Sequence, residues 1–152
     1  MEELTRVSWR DVLDQLLHLG VAFMLAAPLG WDRERSERGP GLRTFPLVAI
    51  GSCAFLLIGQ RVVEGSESHA RLLYGLMTGI GFIGGGSILK GGGNVTGTAT
   101  AASIWNTGAI GAAVAWRSYE IAIALATANF LLLRFGTTAK FTAGRRTRRG
   151  NG

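Results

Sequence analysis

The sequence predicts an all-α fold, a polytopic transmembrane helical bundle of about five spans with glycine-rich helix packing. Three observations carry this. Several apolar runs are each about as long as a bilayer is thick, roughly 20 residues. Hydrophobic residues make up 47% of the 152 residues and charged ones only 17%, below the roughly 25% usual in soluble domains. No acidic residue lies between Ser68 and Tyr119, a stretch that holds two apolar runs rich in glycine. A water-soluble domain of this length has no means of covering several such segments, and the length allows one domain.

The runs are Leu13–Trp31, Thr44–Gln60, Leu72–Leu89, Ala99–Trp116 and Tyr119–Leu133. Ser8-Trp-Arg-Asp11 has capping-box spacing and starts the first helix, with Trp9, Val12, Leu13 and Leu16 on one face. Pro28 removes one helix bond and predicts a kink. Gly39-Pro40-Gly41 marks the loop before the second run, which opens on Thr44 and Pro46, where proline's missing N–H costs nothing. Lys90 to Thr98 reads as a flexible polar turn between the third and fourth runs. Trp31, Trp116 and Tyr119 fall at run ends, where amphipathic rings favour the headgroup level. The resulting division is an interfacial segment over 1–12, a transmembrane domain over 13–135 and a basic tail over 136–152.

Net charge is +6. The loops after the first and third runs, with the tail, hold 11 of the 16 basic residues; the other side holds 5. This asymmetry predicts the N-terminus outside and the C-terminus in the cytoplasm, with five spans. The run Arg145-Arg146-Thr147-Arg148-Arg149 suits contact with anionic lipid. No aromatic or fold cue points to nucleic acid, and none is expected as a partner. The single Cys53 excludes an internal disulfide. Met1-Glu-Glu-Leu-Thr-Arg lacks a basic signal-peptide start, so no removed leader is expected.

Gly79-Ile-Gly-Phe-Ile-Gly84 matches a dinucleotide-binding pattern, but no acidic residue follows at ribose distance and the pattern lies inside an apolar run. Close helix packing fits better. Gly75/Gly79 and Gly81/Gly85 are G-x-x-x-G pairs, with Gly84 beside them, and Gly108, Gly111 and Ala112 offer a matching face on the fourth run. That run also carries Thr100, Ser103, Asn106 and Thr107. Their oxygens suit interhelical hydrogen bonds or a permeation surface, and both readings stand. Asp32, Arg33 and Glu34, with Arg43 nearby, form the densest charge cluster touching a run. Carboxylates at a helix C-terminus need cationic partners, which favours an arginine–carboxylate network over a Mg2+ site. Asp14 and His18, one turn apart, lie near the start of the first run, close enough to the interface to be solvated. No nucleophile–base pair or metal-ligand set appears, so neither enzymatic activity nor a cofactor is expected.

Four motifs in this order resemble the MgtC/SapB family of bacterial inner-membrane proteins. They are Gly30-Trp-Asp-Arg-Glu34, Gly41-Leu-Arg-Thr44 leading into Leu47-Val-Ala-Ile-Gly51, Thr78 to Gly84 with Ile88-Leu89, and Thr100-Ala-Ala-Ser-Ile-Trp105 followed by Ala109-Ile-Gly111. The resemblance implies a multi-pass protein of the bacterial inner (plasma) membrane tied to magnesium homeostasis and stress survival. It further implies a regulator acting through a homo-oligomer, an ion-pumping ATPase or another membrane transporter, or else a transporter component. The family's acidic pattern falls on Asp32 and Glu34 with Arg33, its basic loop residue on Arg43, and its polar helix residues on Thr100 and Ser103. Asp32 stands where the family often has Glu, and Phe45-Pro46 where His-Ala is usual. Longer members add a soluble C-terminal domain; the resemblance here is to a short form.

Overall fold

The structure, a computed structural model, describes residues 8–35, 40–91 and 94–148. Helices form over all five apolar runs: α1 (Trp9–Arg35), α2 (Thr44–Val62), α3 (Ser66–Gly85), α4 (Thr98–Ala115) and α5 (Tyr119–Arg148). Ser8 occupies the N-cap position of α1, its carbonyl accepting from Val12 N–H at 3.1 Å. Pro28 lies inside α1, and the helix continues past it through Asp32 and Arg33. The acidic cluster therefore belongs to the last helical turn rather than to a loop. α1 and α2 are each long and apolar enough to cross a membrane.

Between α3 and α4 the chain forms a short hairpin, β1 (Leu89–Gly91) with β2 (Asn94–Thr96), in which Lys90 pairs with Val95. This replaces the flexible turn expected there. The hairpin closes where Gly97, at φ +85°, packs against the Ser87 carbonyl; a Cβ would collide with that oxygen. Ser87 Oγ in turn donates to Gly84 O at 2.7 Å. α3 thus ends at Gly85, four residues before the apolar run does.

α4 is the axis of the molecule. It touches all four other helices, which follow one another around it as α3, α2, α1 and α5, with the opening between α3 and α5. Most of the helix is covered by this wrapping: Ile104, Thr107, Ile110 and Val114 are fully buried, while Ala102 and Trp105 stay exposed. A helix buried on most sides needs no amphipathic stripe. The outer helices present stripes at helical spacing: Ala22, Ala26 and Leu29 on α1, Phe45, Ala49, Cys53 and Leu56 on α2, Ala122, Ala126 and Leu133 on α5. Alanine recurs in these stripes because short side chains let the backbones approach.

Glycine packing is present at the expected Gly84, Gly108 and Gly111, but not through the G-x-x-x-G pairs. α3 and α4 do meet, through Ile80, whose side chain fills the space over Gly108, and through Gly84, where a Cβ would lie 2.9 Å from Ala101 O. Gly111 lies against the Ala49 carbonyl of α2. Gly75, Gly79, Gly81 and Gly85 have nothing of this chain within 4 Å of an added Cβ. The G-x-x-x-G pairs therefore do not join α3 to α4, contrary to the sequence reading. Helical geometry explains why: 80 and 84 share one face, and each neighbouring position is turned by about 100° away from it. Gly84→Leu is expected to lower the melting temperature in detergent sharply, since overpacking costs about 1–3 kcal/mol or more. Gly81→Leu should melt with the parent; equal losses in both variants would reject this assignment.

Candidate functional site

The bundle end formed by the last turn of α1, the lead-in to α2 and the middle of α5 gathers most of the predicted charge cluster. Asp32 and Arg33 are buried, at 8% and 6% exposure. Asp32 Oδ1 accepts from Arg134 Nη1 at 3.4 Å, and Arg33 Nη2 donates to the Leu133 carbonyl at 3.3 Å. Glu34 points the other way, as its two-residue offset from Asp32 requires. Its Oε2 accepts the Leu42 backbone N–H at 2.9 Å, which pins the chain entering α2 against the end of α1. Two glycines make this approach possible: a Cβ on Gly30 would lie 2.7 Å from Leu42 Cα, and one on Gly41 would strike the Glu34 carboxylate.

Arg43 does not join the carboxylates. It is exposed at the N-cap of α2, and its side chain makes no hydrogen bond or ion pair with a described residue. Among the described residues the cation that reaches Asp32 is Arg134, supplied by α5 102 residues later, so the predicted Asp32–Glu34–Arg43 network is corrected to one built on Asp32, Arg33 and Arg134. Arg33 Nε has no partner among the described residues. An unmade buried hydrogen bond costs about 1–3 kcal/mol, so this guanidinium is held in place against its solvation preference.

In the middle of the bundle the polar residues of α4 bond to α5. Ser103 Oγ donates to Asn129 Oδ1 at 2.8 Å, and Asn129 Nδ2 donates back to Ser103 O at 3.2 Å. Asn106 Nδ2 donates to Leu125 O at 3.3 Å, and Thr107 Oγ1 to Ser103 O at 2.8 Å. Thr100 is buried on the same helix. Asn129 was not singled out from the sequence, although an amide in the apolar run Tyr119–Leu133 is a signal that could have found it.

The opposite end carries a second clasp. His18 is buried, and its Nδ1 lies 2.7 Å from the Asp14 carbonyl oxygen. A carbonyl only accepts, so Nδ1 carries the proton, and in the neutral ring Nε2 accepts from Tyr119 Oη at 3.2 Å. Asp14 Oδ2 pairs with Arg117 at 2.7 Å. Arg117 has φ 58°, the sole non-glycine residue with positive φ among those described, in the short turn joining α4 to α5. Sequence reading placed Asp14 and His18 together, and the structure adds their partners from the far end of the chain. Among the described residues no group of three or more His, Cys, Asp or Glu side chains gathers as a metal site.

An all-α bundle with two apolar helices of membrane-crossing length and a buried arginine–carboxylate cluster at one end defines the class of protein. Residues 19–141 match the MgtC family, and the chain belongs to it. It is 38% identical over 103 residues to the MgtC protein of Brucella abortus (strain 2308), covering 68% of this chain and 43% of that protein. It is 35% identical over 127 residues to SrpB of Synechococcus elongatus, covering 74% of this chain and 69% of that one. It is 33% identical over 125 residues to YhiD of Escherichia coli (strain K12), which carries a provisional magnesium-transporter name, covering 78% and 58%. The chain thus spans less than half the length of the Brucella MgtC proteins it matches. No solved structure matches it.

The corrected network gives a direct test. Arg134→Ala is expected to lower stability in detergent by about 1 kcal/mol, modest because Arg134 is largely exposed. Asp32→Ala should cost more, since it leaves the buried Arg33 without its neighbouring carboxylate. Arg43→Ala should leave the melting temperature unchanged. A larger loss in Arg43→Ala than in Arg134→Ala would restore the original assignment.

Proposed function

We propose that this protein is a multi-pass bacterial inner-membrane factor of magnesium homeostasis and stress adaptation. It acts as a regulator through contacts with a membrane partner such as an ion-pumping ATPase or another transporter. All five helices cross the membrane, with the N-terminus outside and the Asp32–Arg134 cluster at the cytoplasmic end. Family membership and the magnesium-transporter name carried by YhiD supply the link to magnesium. The observation that favours regulation over conduction is the commitment of α4's polar groups. Ser103, Asn106 and Thr107 all spend their donors on α5 or on their own helix. A permeation path would need those oxygens turned toward a passing ion.

The transporter reading rests on the name of YhiD and is the alternative. Proteoliposomes containing only this protein separate the two: Mg2+ flux indistinguishable from empty vesicles is expected, while robust saturable flux would make it a transporter. In a strain lacking the protein, Asp32→Asn is expected to reduce growth rescue at low magnesium at unchanged protein level. Reporter fusions are expected to place Gly65 and Arg117 outside, and Gly93 and Gly152 inside. A cytoplasmic signal at Arg117 with an external one at Gly93 would invert the topology.

A further inference from the structure

α2 and α3 are joined at one end and open at the other. Leu72 of α3 inserts over Gly59 of α2, where a Cβ would collide with it, and from there α3 turns its packing face to α4 instead. The opening left between α2 and α3 is a groove of about 820 Å³. Its walls are apolar, with Leu47, Phe55, Leu76 and Ile83 among them. Gly51, Gly75 and Gly79 also line it, and none has an atom within 4 Å of an added Cβ. Glycine in a helix interior weakens that helix relative to alanine, and here no neighbour in the chain uses the space it clears.

We propose that this groove holds the hydrocarbon chains of a single anionic phospholipid whose phosphate is bound at Arg43. The inference rests on the membrane reading above. Size selects the occupant. The groove extends from Arg71 to Ile83 on α3, about 18 Å at 1.5 Å per residue, close to one leaflet of a hydrocarbon core about 30 Å thick. Its volume over that length gives a mean cross-section of about 45 Å², roughly half that of a helix 10–12 Å across with its side chains. Polymethylene chains, about 4–5 Å wide at carbon contact distance, fit that section. Charge selects the end. Arg71, at one mouth, is neutralised by Glu67 at 2.6 Å. At the other mouth Thr44 lines the groove, and the residue before it is Arg43, exposed and with no side-chain partner among the described residues. A phosphate there supplies the anion that the carboxylates of α1 do not.

The test uses the whole protein purified in a mild non-ionic detergent, offered phosphatidylglycerol or phosphatidylcholine, and read by native mass spectrometry. One phosphatidylglycerol is expected per chain, retained at least fivefold over phosphatidylcholine. Gly75→Leu and Gly79→Leu, which fill the groove, should lose the lipid. Gly20→Leu, equally free of neighbours but on α1, should keep it. Arg43→Gln should erase the fivefold preference while lipid is still bound, and this exposed position tests the inference even if the glycine variants fail to fold. Undiminished lipid in both groove variants overturns the proposal, as does an unchanged preference in Arg43→Gln. A dimer that Gly79→Leu dissolves would assign the groove to a second copy. Release of the protein from membranes by alkaline wash would overturn the membrane reading itself; a membrane-embedded protein that retains no lipid would overturn this inference alone.

Discussion

The structure depends on burying most of α4 among the four other helices, leaving Ala102 and Trp105 exposed. On its enclosed sides a helix has no room for bulky or unsatisfied groups, so each of those directions must end in close contact or in a hydrogen bond. Small residues meet the first requirement. Gly111 admits the α2 backbone at Ala49, Gly108 receives Ile80 of α3, and the Ala101 carbonyl lies under Gly84. Under the membrane reading proposed above, no hydrophobic force drives the helices together in lipid, and this contact area, with interhelical hydrogen bonds, holds them. The polar residues of α4 meet the second requirement by pairing with α5, where Ser103 and Asn129 exchange two bonds.

Those central bonds are backed at both ends by charge. Asp32 and Arg33 tie the last turn of α1 to Arg134 and Leu133 of α5, while Asp14 and His18 tie its beginning to Arg117 and Tyr119. Single exposed pairs contribute little, about 0–1 kcal/mol. Their placement matters more than their energies: a contact at each end fixes the axial register of α1 against α5, which a smooth alanine stripe does not do alone. The positive φ at Arg117 belongs to the same device. A non-glycine residue in that region costs about 1–2 kcal/mol, and the Asp14 ion pair accompanies the one side chain held there.

The helices were legible because apolar runs of bilayer length are a one-dimensional signal, and the observed elements overlap all the expected runs, with α1 and α3 starting earlier and α3 ending at Gly85. The partners were not. Arg134 lies 102 residues from Asp32, and Arg43, nearer in the chain, is exposed and makes no side-chain bond with a described residue. Nearness in sequence misled because α1 continues helically to Arg35, which buries Asp32 and Arg33 on the side that α5 covers. The glycines misled for a related reason. Spacing of four identifies a face but not which neighbour it meets, and Ile80 with Gly84 forms the contact that Gly81 with Gly85 equally matched by pattern. The hairpin at Leu89–Thr96 was hidden by glycines that read as flexibility.

These attachments divide the bundle unequally. α5 and the turn before it are fastened to α1 at both ends, and α5 to α4 in the middle, whereas α3 is held chiefly by Ile80 and Gly84 on one face. It has the α2 groove on one side and, on the other, a cavity of about 260 Å³ toward α5 lined by Trp105 and Trp116. Most large side chains on α3, including Tyr74, Phe82 and Ile83, face outward. Surfaces whose occupant can change without unfolding a protein are drawn from the least fastened elements. Among these helices that element is α3, set against the frame that α1, α4 and α5 supply.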